Sequence, residues 1–162
     1  GKNMTNNEVL QHIRYIFSLN NEKTAAIFQL AECPKTADDI DNFLRKNGES
    51  AFTRITDNVL ASFLDGLIIE LRGAKAGAEA QLDQAINNNI IFNKVKIALA
   101  LKADEIIALL DSAELTLSKH ELSAFFRKPE HKNYRVCNDD TLLKFFNGLH
   151  LKNQQAIKEI KE

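Results

Sequence analysis

Apolar residues recur along the chain at helical spacing, in short blocks separated by polar breakers. Thr5-Asn6-Asn7-Glu8 has the form of a capping box, in which a hydroxyl accepts from a first-turn N–H and a carboxylate three residues on answers it. Val9, Leu10, Ile13, Ile16 and Phe17 then share one helical face, and Asn20-Asn21 interrupts the run. A second helix is expected with Ala26, Ile27, Leu30 and Ala31 inward, ending ahead of Pro34. Thr36-Ala37-Asp38-Asp39 opens a third, which buries Ile40, Phe43 and Leu44 and closes at Asn47-Gly48. Asp57 or Asn58 is expected to cap a fourth, with Val59, Leu60, Phe63, Leu64, Leu67 and Leu71 inward. No window combines period-two alternation with turn chemistry, so no sheet is expected.

The plan then repeats. Moved by 82 positions, residues 6–69 fall on 88–151 without a gap and with 14 identities in 64 positions. Asn6-Asn7 meets Asn88-Asn89, Ala31-Glu32 meets Ala113-Glu114, and Phe43, Arg45 and Lys46 meet Phe125, Arg127 and Lys128. Asp57, Leu60, Phe63, Gly66 and Leu67 meet Asp139, Leu142, Phe145, Gly148 and Leu149. In the second copy the third helix opens at Ser118 and closes at Pro129, and the fourth opens at Asn138-Asp139. The expected fold is all-α: two tandem homologous repeats of about four helices each, packed as a pseudo-two-fold globule. Their bounds are 5–73 and 86–151, joined by a small, breaker-rich linker over 74–85. Residues 152–162 form a polar C-terminal tail that extends the last helix. Four helices in about 65 residues make a marginal core alone, which is the reason to expect the copies to pack together. A mid-helix glycine costs about 1 kcal/mol against alanine, so Gly66 and Gly148 are expected at close inter-repeat packing.

Composition agrees with this picture. Twenty leucines and eighteen alanines against four valines favour helix over strand. The apolar runs are too short to cross a bilayer, no membrane contact is expected, and the opening residues have no secretory pattern. Cys33 and Cys137 lie far apart without CxxC spacing and read as reduced thiols of a cytoplasmic protein. The net charge of −1 argues against a general nucleic-acid binder, whose affinity rests on phosphate neutralisation. The charge is nonetheless uneven. Residues 119–135 hold Lys119, Arg127, Lys128, Lys132 and Arg135 against Glu121 and Glu130, a local +3. The matching stretch 37–53 of the first copy is −2.

That stretch holds the candidate anion or nucleic-acid contact: Lys119, Arg127, Lys128, His131, Lys132 and Arg135, with Tyr134 available to stack on a base. The simpler reading of Arg45-Lys46 and Arg127-Lys128 is complementarity to a helix C-terminus. A helix-turn-helix is a second reading, with the helix from Ser118 presenting Lys119, His120, Ser123 and Arg127 to DNA. No catalytic, cofactor-binding or metal-binding residue is assigned. His12, His120, His131 and His150 lack metal-ligand spacing, and no nucleophile or phosphate-loop motif occurs. Asp38-Asp39 and Asp139-Asp140 read as acids at helix N-termini. A cleft between the copies is a further candidate, lined by Asn6-Asn7 and Asn88-Asn89, although N-capping explains those asparagines more simply.

Asn87-Asn88-Asn89-Ile90-Ile91, the run Lys96 to Lys102, the run Pro129 to Arg135, and Ser62 to Leu67 with Arg72-Gly73 together resemble the YehS family. That family consists of small bacterial proteins with two copies of a domain of unknown function, DUF1456. The resemblance covers roughly Thr5 to Leu151. It implies a duplicated helical fold in a bacterial cytoplasm and brings no activity, cofactor or catalytic residue. The expected function is a non-catalytic binding or regulatory module contacting a protein or a small ligand. Nucleic-acid binding through the basic patch of the second repeat is the runner-up.

Overall fold

The computed structural model describes residues 4–74 and 85–161, with side chains of the last helix described as far as Gln154. The order of elements is α1 (Asn6–Phe17), α2 (Asn21–Leu30), α3 (Ala37–Leu44) and α4 (Asp57–Arg72), then α5 (Asn88–Ala98), α6 (Ala103–Ser112), α7 (Lys119–Ser123) and α8 (Asp139–Lys161). A 3₁₀ turn, Ala124–Phe126, continues α7. Among the described residues there are eight α-helices and no strand. The chain divides into two compact units, Gly1–Ile86 with Ile97–Leu99, and Asn87–Lys96 with Ala100–Glu162. Every helix of the first repeat begins 82 positions before its counterpart in the second. The linker expected over 74–85 lies, apart from its ends, outside the described residues.

The helix starts follow the side-chain chemistry. Thr5 and Glu8 form the expected capping box, and Thr36 with Asp39 and Ser118 with Glu121 form two more. The fourth helix starts one residue earlier than expected. Thr56 is its N-cap, accepting from Val59 N at 3.3 Å, which leaves the Asp57 carboxylate available for another contact. Helix ends are repeated as well. Ser18 and Ala100 both have φ 53°, and Glu32 and Glu114 have φ 57° and 68°. The left-handed residue lets the chain turn back, as Cys33 N and Leu115 N donate to Phe28 O and Leu110 O.

Each core centres on phenylalanine. In the first unit Phe28 of α2 lies 5.1 Å from Phe63 and 6.3 Å from Phe43. In the second, Phe92 of α5 lies 4.5 Å from Phe145 and 6.0 Å from Phe125. The bridging ring therefore comes from the second helix of one repeat and from the first helix of the other. Leu10 stands opposite Phe92 and Leu110 opposite Phe28 in the alignment, and all four are fully buried. The swap keeps the core volume, as close packing requires.

Two expectations about inward faces are corrected. The α2 stripe runs through Thr24, Ile27 and Phe28, and Ala26 and Leu30 are exposed. Thr24 is tolerated inside because its hydroxyl donates to Asn20 O at 2.7 Å and accepts from Arg14 Nη1 at 3.0 Å. Leu71 lies past the packed part of α4 and is also exposed.

Gly66 and Gly148 do mark close approaches, but within each repeat. A Cβ on Gly66 would overlap the carbonyl oxygen of Ile27 and lie 2.9 Å from its carbon. A Cβ on Gly148 would overlap the carbonyl oxygen of Leu109 and lie 2.8 Å from its carbon. The glycines thus seat α4 on α2 and α8 on α6, rather than repeat on repeat.

The paired asparagines are not N-caps. Asn7 Nδ2 donates to Phe43 O and Thr53 O, both at 2.9 Å, and its Oδ1 accepts from Ile55 N at 3.0 Å. Asn89 makes the same set: to Phe125 O at 3.0 Å, to Arg135 O at 2.8 Å, and from Cys137 N at 2.9 Å. Asn6 and Asn88 reach the next turn, donating to Ile55 O and Cys137 O and to the carboxylates of Asp57 and Asp139. Both members of each pair tie the first helix of a repeat to the loop that enters its last helix. These loops have no sheet to satisfy their backbone, so the side-chain amides do so.

Candidate functional site

Within the stretch that the charge pattern singled out, the clamp by Asn89 fixes both ends of the loop 126–134. Phe125 O and Arg135 O, which flank it, are bound by the same side-chain nitrogen. Between them the chain leaves the 3₁₀ turn with Arg127 extended, at φ −76° and ψ 161°. It then makes two successive turns, His131 N to Lys128 O at 2.9 Å and Tyr134 N to His131 O at 3.0 Å. Arg135 N returns to Ala124 O at 3.1 Å and closes the loop.

Arg127 sits at the centre of this loop. Its Nη1 lies 3.3 Å from His131 Nε2, and its Nη2 makes a long contact of 3.5 Å to Ser123 Oγ. Its Nε is shielded from water and has no hydrogen-bond partner among the described residues. The equivalent arginine of the first repeat has an acceptor for its Nε and a carboxylate nearby. Arg45 Nε donates to Asn42 Oδ1 at 2.9 Å, and Arg45 Nη1 lies 3.8 Å from Glu49. At those two positions the second repeat has Ala124 and His131. The loop therefore keeps the arginine while replacing an amide acceptor by a methyl and a carboxylate by an imidazole.

The other predicted contacts divide into two groups. Lys128, His131 and Lys132 are exposed on the loop beside Arg127. Lys119 is instead paired with Asp104 at 3.1 Å, and Arg135 lies over the Phe125 ring, 5.2 Å from its centroid. Tyr134 is half-buried, which restricts the ring face open to stacking. The helix-turn-helix reading loses its recognition helix, since α7 has only five residues before it tightens to 3₁₀. Arg127 and Lys128 follow that turn rather than sitting in a helical last turn, so the macrodipole explanation is correspondingly weak for them.

The carboxylates at helix starts have structural work. Backbone N–H donation from Thr36 holds Asp39 below its usual range, and donation from Ser118 does the same for Glu121. Burial lowers the pKa of His12. No cluster of His, Cys, Asp and Glu among the described residues could hold a metal, and no helix there is long and apolar enough to cross a membrane. Cys33 and Cys137 are free thiols. Burial, with Asp139 nearby, pushes Cys137 up to about 12. Native protein at pH 8 should therefore leave Cys137 unlabelled by iodoacetamide until denaturant is added, as read by peptide mass spectrometry. Rapid native labelling at Cys137 would contradict the burial described here.

An open groove of about 420 Å³ flanks Gly148 between α6 and α8, lined by Glu105, Ala108, Leu109, Ser112, Leu151 and Lys152. In the first repeat the positions of Glu105 and Lys152 are Lys23 and Glu70, with the charges exchanged, and these two form an ion pair. The sequence pattern did not reveal this groove, because its rim charges are unremarkable until α6 and α8 are placed side by side.

These features define a two-copy, all-helical protein whose copies share a framework and differ most in charge at one basic loop. The family described as "Protein of unknown function (DUF1456)" matches residues 6–73 and again 88–154, and the chain belongs to it. Among its relatives is the "Uncharacterized protein YehS" of Escherichia coli (strain K12), 42% identical over 147 residues, spanning 90% of this chain and 94% of that protein. No solved structure matches the chain.

Proposed function

We propose that the chain is a non-catalytic binding module of the bacterial cytoplasm, and that the loop 127–135 is the surface by which it contacts a protein or small ligand. The observation that supports this reading is the contrast between the two copies. The asparagine clamp, glycine seats and phenylalanine cores recur, whereas the group that neutralises Arg45 has no counterpart at Arg127. Stability alone favours a paired arginine, so an unpaired one on an anchored loop is better explained by a ligand than by the fold.

Nucleic-acid binding is the second reading, favoured by the exposed Lys128 and Lys132 beside Arg127. It is weakened by the engagement of Lys119 with Asp104. Capture from bacterial lysate tests the surface, with proteins, nucleic acids and metabolites all identified. A species retained by the native chain should be lost when Arg127, Lys128 and Lys132 are changed to Ala together. It should remain when Arg45 and Lys46 are changed. Capture indifferent to the loop would overturn the reading, and so would substrate turnover abolished by a single side-chain replacement.

A further inference from the structure

We propose that the loop around Arg127 and His131 is a phosphate site for a small phosphorylated ligand, a proposal that rests on the loop being the contact surface. The two nitrogens of the His131 ring both face donors. Asn133 N donates to Nδ1 at 3.0 Å, and Nε2 stands 3.3 Å from Arg127 Nη1. A neutral imidazole has one acceptor nitrogen. In the neutral tautomer in which Nδ1 accepts from Asn133, the ring proton is on Nε2 and faces the guanidinium. Two N–H groups then confront each other with no acceptor between them. An oxyanion placed over this pair accepts from both and supplies the negative charge that Glu49 gives Arg45.

The available cations also indicate the size of the ligand. Arg127, Lys128 and Lys132 fall within six residues, at and just before two consecutive turns, with Glu130 the one acid among them. Lys119 and Arg135, which would extend the patch, are engaged by Asp104 and by the Phe125 ring. A compact group of three cations on an anchored loop suits one phosphoryl group. It does not make a track along a polynucleotide, where affinity grows with the number of phosphates neutralised.

The test is a titration of the isotopically labelled full chain by inorganic phosphate at constant ionic strength, followed by amide NMR. Phenyl phosphate and a twelve-nucleotide oligothymidine are the comparison probes. Saturable shifts are expected at the amides of His131 and Asn133, from both inorganic and phenyl phosphate. Arg127→Ala should abolish them. Because Arg127 is half-buried, His131→Glu is the second variant: it recreates the Arg45–Glu49 pairing, which the first repeat shows to be compatible with this turn. It should weaken phosphate binding by about tenfold or more, the loss expected when a charge-assisted bond is blocked.

Absence of a saturable shift overturns the proposal, as does binding that His131→Glu leaves unchanged. Tighter, steeply salt-dependent binding of the oligothymidine overturns it in favour of nucleic acid. If phosphate fails while lysate capture still depends on the loop, the phosphate assignment falls and the binding-module reading stands. If loop-dependent capture fails as well, both fall.

Discussion

Gly148→Ala destabilises the second repeat by about 3 kcal/mol, and Gly66→Ala does the same to the first, the range seen when packed elements are forced apart. In an open helix the same change would gain about 1 kcal/mol, because alanine is the better helix former. The sign therefore reports the packing. The added methyl has nowhere to go, since its neighbour is the carbonyl of Leu109 or Ile27, and backbone cannot rotate aside as the end of a side chain can. Urea unfolding of each variant measures the loss. A neutral or stabilising Gly148→Ala would mean that α8 does not rest on α6 as described.

The second large effect lies at the asparagines. Asn89→Ala removes three hydrogen bonds and leaves Phe125 O, Arg135 O and Cys137 N without their partner. A buried polar group left unsatisfied costs about 1–3 kcal/mol, so a loss of about 3–5 kcal/mol is expected where water does not fully replace the amide. Asn89→Asp separates the two roles of the side chain. The carboxylate can still accept from Cys137 N, but it faces two carbonyl oxygens where the amide donated. It should be about as damaging at neutral pH as Asn89→Ala. The equivalent changes at Asn7 should behave alike, since Asn7 binds Phe43 O, Thr53 O and Ile55 N in the same pattern. A loss below about 1 kcal/mol in unfolding experiments would show that the loops are held by something else.

The helix starts were legible because their chemistry is local. A hydroxyl and a carboxylate three residues apart satisfy each other's backbone, and Thr5-Glu8, Thr36-Asp39 and Ser118-Glu121 do so. The duplication was legible because its strings align without a gap, and the family match over both copies agrees. What escaped the pattern was long-range. Asn6 and Asn7 sit at a helix start, where N-capping is the usual role, and their true partners lie 36 to 51 residues away. The exposure of Leu30 and Leu71 could not be read from periodicity, since it depends on where a neighbouring helix stops covering them. Glycine's need for a close neighbour was inferable, but the identity of that neighbour was not. The +3 charge of 119–135 drew attention to this loop without showing that Lys119 lies beside Asp104 and Arg135 over the Phe125 ring. It also could not show that Ala124 withdraws from Arg127 the acceptor that Asn42 offers Arg45.

That one folding unit was doubled and kept the same internal clamp is most directly tested by hydrogen exchange of the side-chain amides of Asn7 and Asn89 in the intact protein. Each should exchange slowly and to a similar degree, because each is buried and donates to two carbonyls. Exchange of either one at the rate of a solvent-exposed amide would contradict a shared framework.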